Sequence, residues 1–206
     1  MSENARPANV VPDNTWERVI IVHGFGAGID DHWFGWLAGA VRGAERVVLP
    51  ASDAPRFADW LPVVAAAIGT PTRRTAVIAH SLGCLTAVRA LQRLAPGSGP
   101  GTFVAVAPFA EPLLPIGDPG LDAFLVDGLP AFLDGLDLAA ARAAIGRAVV
   151  LRSDADPIVP AAASDAFAAG LGAPVRVVPG AGHFLADEGI DRLPAALDAL
   201  AGTPAA

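Results

Sequence analysis

Ser81 stands in Ala79-His80-Ser81-Leu82-Gly83, between a β-branched run at 75–79 and an apolar stretch at 82–94. Small residues two positions either side of a serine suit a sharp, strained strand-to-helix turn, with Ala79 where a glycine is usual. The hydroxyl then sits at a helix N-terminus, near the positive end of its dipole. A serine hydroxyl is a weak nucleophile until a base takes its proton. A histidine can be that base, and an acid behind it can hold the right tautomer. The chain offers both further on, in the order Ser, Asp, His. Asp156 lies in Ser153-Asp154-Ala155-Asp156-Pro157, and His183 in Gly180-Ala181-Gly182-His183-Phe184. Asp154 is an equal candidate for the acid on these grounds. Each residue also has a plainer role open to it. Ser81 could cap a helix, His183 could bond backbone in a turn, and either Asp could cap the helix that follows. Three such residues in this order at strand ends favour nucleophilic catalysis.

A glycine-rich turn, His23-Gly24-Phe25-Gly26-Ala27-Gly28, follows the first β-branched run. As a dinucleotide fingerprint it fails. Ile29 stands where the third glycine belongs, and the next strand ends in Leu49-Pro50 with no acid for a ribose. As an oxyanion loop it fits, since turned backbone N–H groups can meet a developing negative charge.

These residues need elements to hold them. Strands are expected at 19–22, 46–49, 75–79, 102–107, 148–152 and 175–178. Helices are expected near 32–43, 57–69, 82–94, 138–146, 160–171 and 189–201. The strand runs are almost wholly apolar, as in a parallel sheet covered on both faces. Strands alternating with helices predict a single α/β domain over 19–201, with helices on both faces of about six mainly parallel strands. Ligands in such sheets bind beyond the carboxyl ends of the strands, where Ser81, Asp156 and His183 fall. Residues 1–18 read as a tail or edge segment and 202–206 as a short tail. The stretch 109–137, rich in Pro, Gly and Asp, reads equally as a small lid or a surface connection.

Composition removes other classes. The 206 residues suffice for one well-filled core. Acidic residues outnumber basic ones 21 to 14, so no nucleic-acid face is expected. One cysteine, Cys84, allows no internal disulfide and no zinc cluster. No apolar run reaches the ~18 residues of a membrane span, and residues 1–18 lack a signal core. A cytoplasmic protein without metal or organic cofactor is expected.

The set HGFGAG, HWFGW, AHSLG, DADPIVP and GAGHF resembles the small α/β-hydrolases of the type of retinoblastoma-binding protein nine, from about Val19 to Leu200. The resemblance implies a reduced α/β-hydrolase fold whose first strand matches the third of the full fold. It places the acid at Asp156, directly before the proline. It implies a serine hydrolase acting on carboxylic esters or small amides, with Ser81, Asp156 and His183 catalytic. The oxyanion donors would be the backbone N–H groups of Phe25 and Leu82. A thioesterase or acyltransferase on the same residues is the alternative enzyme, and a binding protein that kept the fold is the non-enzymatic one. The namesake's retinoblastoma-type partner is attributed to Leu-x-Cys-x-Glu. Here Leu82-Gly83-Cys84-Leu85-Thr86 lacks the Glu, so that partner is not expected. His23, Trp33, Trp36 and Trp60 are candidates for the substrate pocket. The plainer reading has the tryptophans packing helix onto sheet.

Overall fold

The computed structural model describes residues 16–201. The expected tail at 202–206 and most of the segment 1–18 lie outside them. The last residues of that segment join the domain. Trp16 is buried, and its indole Nε1 donates to the Leu200 carbonyl at 3.0 Å.

Six strands form one sheet: β1 (Arg18–Val22), β2 (Ala44–Arg46), β3 (Thr75–His80), β4 (Thr102–Val106), β5 (Arg147–Ser153) and β6 (Val175–Val178). Their order is β2-β1-β3-β4-β5-β6, and every pairing is parallel. Among the described residues, eight α-helices accompany them: α1 (Phe34–Ala40), α2 (Phe57–Ile68), α3 (Leu82–Leu91), α4 (Pro119–Asp127), α5 (Leu129–Leu133), α6 (Leu138–Ala144), α7 (Ala161–Leu171) and α8 (Pro194–Ala201).

The two-residue period of a strand divides the core. Ile20, Val22, Val77, Phe103 and Val150 face one layer, with α2, α3, α5, α6 and α7. Val19, Ile21, Ile78, Val104 and Leu151 face the other, with α1 and α8. Both faces of the central strands are therefore covered, and their continuous apolar runs follow from that.

The edges differ from expectation. β6 is largely exposed, with Val177 at 46%. Among the described residues it pairs only with β5, and no helix covers it fully. β2 occupies 44–46 rather than 46–49. Its register against β1 ends at Arg46, after which Val47 and Leu49 turn into the core while Val48 stays exposed. The last helix begins at Pro194, not 189. Gly189 takes φ +85°, which ends a short 3-10 turn at Ala186–Glu188, and Pro194 opens α8.

The stretch 109–137 holds α4 and α5. Phe124, Leu129 and Phe132 are buried in the core. The Asp118 carboxylate caps α4 by accepting from Leu121 N at 2.8 Å, with Pro119 in the first turn. That Asp-Pro pair is a helix-start signal legible in the sequence.

Candidate active site

The strand ends place the chemistry. Ser81 directly follows β3 and adopts φ 51°, ψ −123°, a strained conformation for a residue with a Cβ. The chain packs closely around it. A Cβ on Gly83 would overlap the carbonyl oxygen of His23, and a Cβ on Gly24 would lie 3.1 Å from the Ser81 Cβ. Glycine at 83 thus lets α3 press on the end of β1. Glycine at 24 brings the 24–26 loop against the serine. Gly26 N–H donates to the Ser52 carbonyl at 2.8 Å and fixes that loop.

Asp156 lies in the turn after β5. One carboxylate oxygen, Oδ1, accepts from the N–H groups of Ile158 and Val159, each at 2.8 Å. The other, Oδ2, is 2.8 Å from His183 Nδ1. Both side chains of this pair are buried. A carboxylate only accepts, so Nδ1 carries the proton. Nε2 is left with its lone pair toward the Ser81 hydroxyl, 3.0 Å away. Asp154 points elsewhere, its Oδ1 accepting from Gly180 N at 2.7 Å. The structure thus brings Ser81, His183 and Asp156 into one hydrogen-bonded line.

His80 is the fully buried residue before the serine. Its Nε2 donates to the His183 carbonyl at 2.9 Å, and its Nδ1 is buried without a partner among the described residues. Burial pushes its pKa well below the ordinary value, and the nearby His183 lowers it further. His80 is therefore neutral at pH 7.

A family model for serine hydrolases matches residues 19–202. The chain belongs to the serine hydrolase family. Its sequence is 33% identical over 189 residues to YdeN of Bacillus subtilis (strain 168), covering 89% of this chain and 94% of that protein. The solved structure of YdeN superposes with a TM-score of 0.77, covering 89% and 96% of the two chains. A YdeN-like protein of Pectobacterium atrosepticum shares the fold at 19% identity, with a TM-score of 0.68 and coverage of 89% and 88%. A lipase-esterase related protein of Clostridium acetobutylicum shares it at 12% identity, with a TM-score of 0.60 and coverage of 84% and 90%. The fold is that of the α/β-hydrolases.

In this serine hydrolase a cavity of about 200 Å³ opens at Ser81. Phe25, His80, His183, Ile158 and Leu185 line it, and Ile116, Asp118 and Leu121 overhang it from the 109–137 stretch. None of the four expected pocket residues is in its wall. Trp33 is buried against Phe34 on the α1 face. Trp36 is half-buried on the same side. Trp60 lies on the opposite face, edge-to-face with Phe132, with its Nε1 donating to the Pro50 carbonyl at 2.8 Å. A tryptophan buries a large apolar area, and Trp33 and Trp60 bury theirs in the two core layers of the sheet. His23 is buried behind the 24–26 loop. Its Nδ1 donates to the Gly24 carbonyl at 3.0 Å, its ring meets Trp60, and burial lowers its pKa. The aliphatic wall residues Ile116, Leu121, Ile158 and Leu185 carried no sequence signal, because isolated aliphatics in loops or on a short helix look alike.

The serine hydrolase's single cysteine is core. Cys84 is buried in α3 with its thiol against the Ala79 carbonyl at 3.2 Å, and burial pushes its pKa far up. A thiol so held is a poor nucleophile. Leu82 to Thr86 are all buried, so that stretch offers no surface to a partner. No helix among the described residues is long and apolar enough to cross a membrane.

Proposed function

We propose that the chain hydrolyses a carboxylic ester or small amide through an acyl-enzyme on Ser81. The observation that carries this is the line from Asp156 Oδ2 to His183 Nδ1, and from Nε2 to Ser81 Oγ, with each gap at 2.8–3.0 Å. Ser81 Oγ attacks the carbonyl carbon as His183 Nε2 takes its proton. The carbonyl oxygen becomes an oxyanion. The N–H of Leu82 is its first donor, since the opening residue of a helix has no partner for that group within the helix. The N–H of Phe25 is the second, in the loop that glycine brings against Ser81. The leaving alcohol or amine departs with the proton from His183. Water then attacks the acyl carbon by the same route, releasing the acid and restoring Ser81. Asp156 holds the tautomer and stabilises the imidazolium throughout. This sequence of steps requires no metal or organic cofactor.

A fluorophosphonate probe tests it, together with a panel of p-nitrophenyl esters and aminoacyl amides. The expected result is a covalent adduct on Ser81, lost in Ser81→Ala. With it comes a fall in kcat on the order of 10⁴ or more, because such groups act as a unit. Labelling at Cys84, or none in the folded protein, would overturn the reading.

A further inference from the structure

Resting on the reading of His183 as the base, we propose that His32 and Glu188 are positioning residues. They hold the main chain of the 181–189 loop so that the His183 ring spans Ser81 and Asp156.

The loop needs outside support. It follows β6, an exposed edge strand paired on one side only. Gly180, which leads into it, is left-handed with φ of +67°, and within it Gly182 and Phe184 are too, with φ of +54° and +63°. Phe184 carries a Cβ, so its conformation is strained. Its fully buried ring anchors one point of the loop. Backbone turn bonds run from Phe184 N to the Ala181 carbonyl, from Glu188 N and Ile190 N to the Leu185 carbonyl, and from Gly189 N to the Ala186 carbonyl. They leave both main-chain groups of His183 and the N–H groups of Leu185 and Ala186 to other partners.

Side chains supply those partners. The Glu188 carboxylate reaches back and accepts from His183 N at 2.7 Å and from Leu185 N at 3.0 Å through the same oxygen. Bonds from N–H to an ionised carboxylate are stronger than neutral ones. Room for that carboxylate exists only because residue 182 is glycine, since a Cβ there would overlap it. On the other side of His183, its carbonyl accepts from His80 Nε2. Both main-chain polar groups of residue 183 are therefore held by side chains.

His32 completes the clamp from another element. Its Nδ1 accepts from Ala186 N at 3.1 Å, a contact 154 residues apart in sequence. His32 itself has φ +52°, the left-handed turn that precedes α1. Its ring edge meets Phe34 and His80 at centroid distances of 5.5 and 6.0 Å. The strained turn of His32 aims its imidazole at the loop, and the ring packs on the same His80 that holds the His183 carbonyl. Three ties from three parts of the chain thus converge on one loop. Small displacements of a reacting group cost much, on the order of 10²-fold for about 1 Å.

The test compares His32→Ala and Glu188→Ala with His32→Asn and Glu188→Gln. Asn can present an acceptor near the place of Nδ1 and tolerates the left-handed conformation. Gln retains an acceptor oxygen but not the charge. Three quantities are read on the full chain: amide hydrogen exchange of His183, Leu185 and Ala186, kcat and KM on p-nitrophenyl acetate, and Tm. The alanine variants should exchange these amides faster and lose roughly 10- to 100-fold in kcat with KM nearly unchanged. Asn and Gln should restore most of both. Unchanged exchange and kcat in Glu188→Ala, which alters an exposed residue, would overturn the clamp. So would a loss that appears in KM alone, or that Asn and Gln fail to repair. If the wild-type protein takes no fluorophosphonate and cleaves no ester, the proposed hydrolysis fails. The amide exchange then still decides whether the clamp exists.

Discussion

At the scale of single residues, the two aspartates separate by what each oxygen does. Asp156 Oδ1 is committed to the N–H groups of Ile158 and Val159. In Asp156→Asn the amide oxygen must stay there, because an NH₂ cannot accept. The NH₂ then faces His183 Nδ1 and forces the proton to Nε2, against Ser81. The base is lost while the turn survives. Asp156→Asn should therefore cost roughly 10³–10⁴ in kcat with little change in Tm. Asp154 accepts a single bond from Gly180 N at an exposed site. An asparagine oxygen can accept that bond as well, so Asp154→Asn should cost little. Steady-state kinetics on one ester compare the two, and reversed losses would move the acid to Asp154.

At the scale of elements, the 109–137 stretch does two jobs. Leu129 and Phe132 are fully buried and bind α5 to the core. Ile116 and Leu121, partly exposed, overhang the cavity. Leu129→Ala should cost about 2–5 kcal/mol of stability, the usual range for a buried leucine. Urea unfolding measures it. Leu121→Ala should instead leave most of the stability and change substrate choice. At about 200 Å³ the cavity is small, below the roughly 300–1,000 Å³ of clefts for drug-sized ligands. Across a C2-to-C16 ester series below micelle concentrations, kcat/KM should fall beyond about six carbons. Leu121→Ala should move the maximum toward longer chains, within the ~1–3 kcal/mol that a methylene is worth. A wild-type maximum at C12 or longer would mean that the overhang opens into a deep tunnel.

At the scale of the whole molecule, three of the four histidines share one electrostatic fate. His23, His32 and His80 all have pKa values lowered from 6.5, each chiefly by burial. Unfolding returns them to water and to ordinary values. Between the lowered folded values and about 6.5 the unfolded chain binds more protons, so stability rises with pH through that window. It levels off above the window and is lost as pH falls below about 6.5. The urea midpoint should therefore decline from pH 6.5 toward pH 5. His80→Gln should make the decline shallower, since His80 is the most deeply buried of the three. A midpoint that stays level over this range would contradict the argument.

The amino-acid sequence alone determined the alternation of elements, the parallel sheet, and the residues at the strand ends. Each of these rests on local information. Apolar runs of strand length mark buried strands, and Ala79 to Gly83 mark a turn that only small residues allow. Tertiary structure decided what depends on which surfaces meet. Trp33 and Trp60 share a residue type and an apolar setting, yet they lie on opposite faces of the sheet and away from the cavity. β6 was expected to resemble the central strands but is an edge, and in Val175–Val178 only Arg176, a charge that β3 and β4 lack, hints at it. Glu188 gave no sign of its part, and His32 in HWFGW could be read only as a helix cap or a site-lining residue, since a carboxylate and an imidazole far apart in sequence acquire this meaning only when the fold brings both to the backbone around His183.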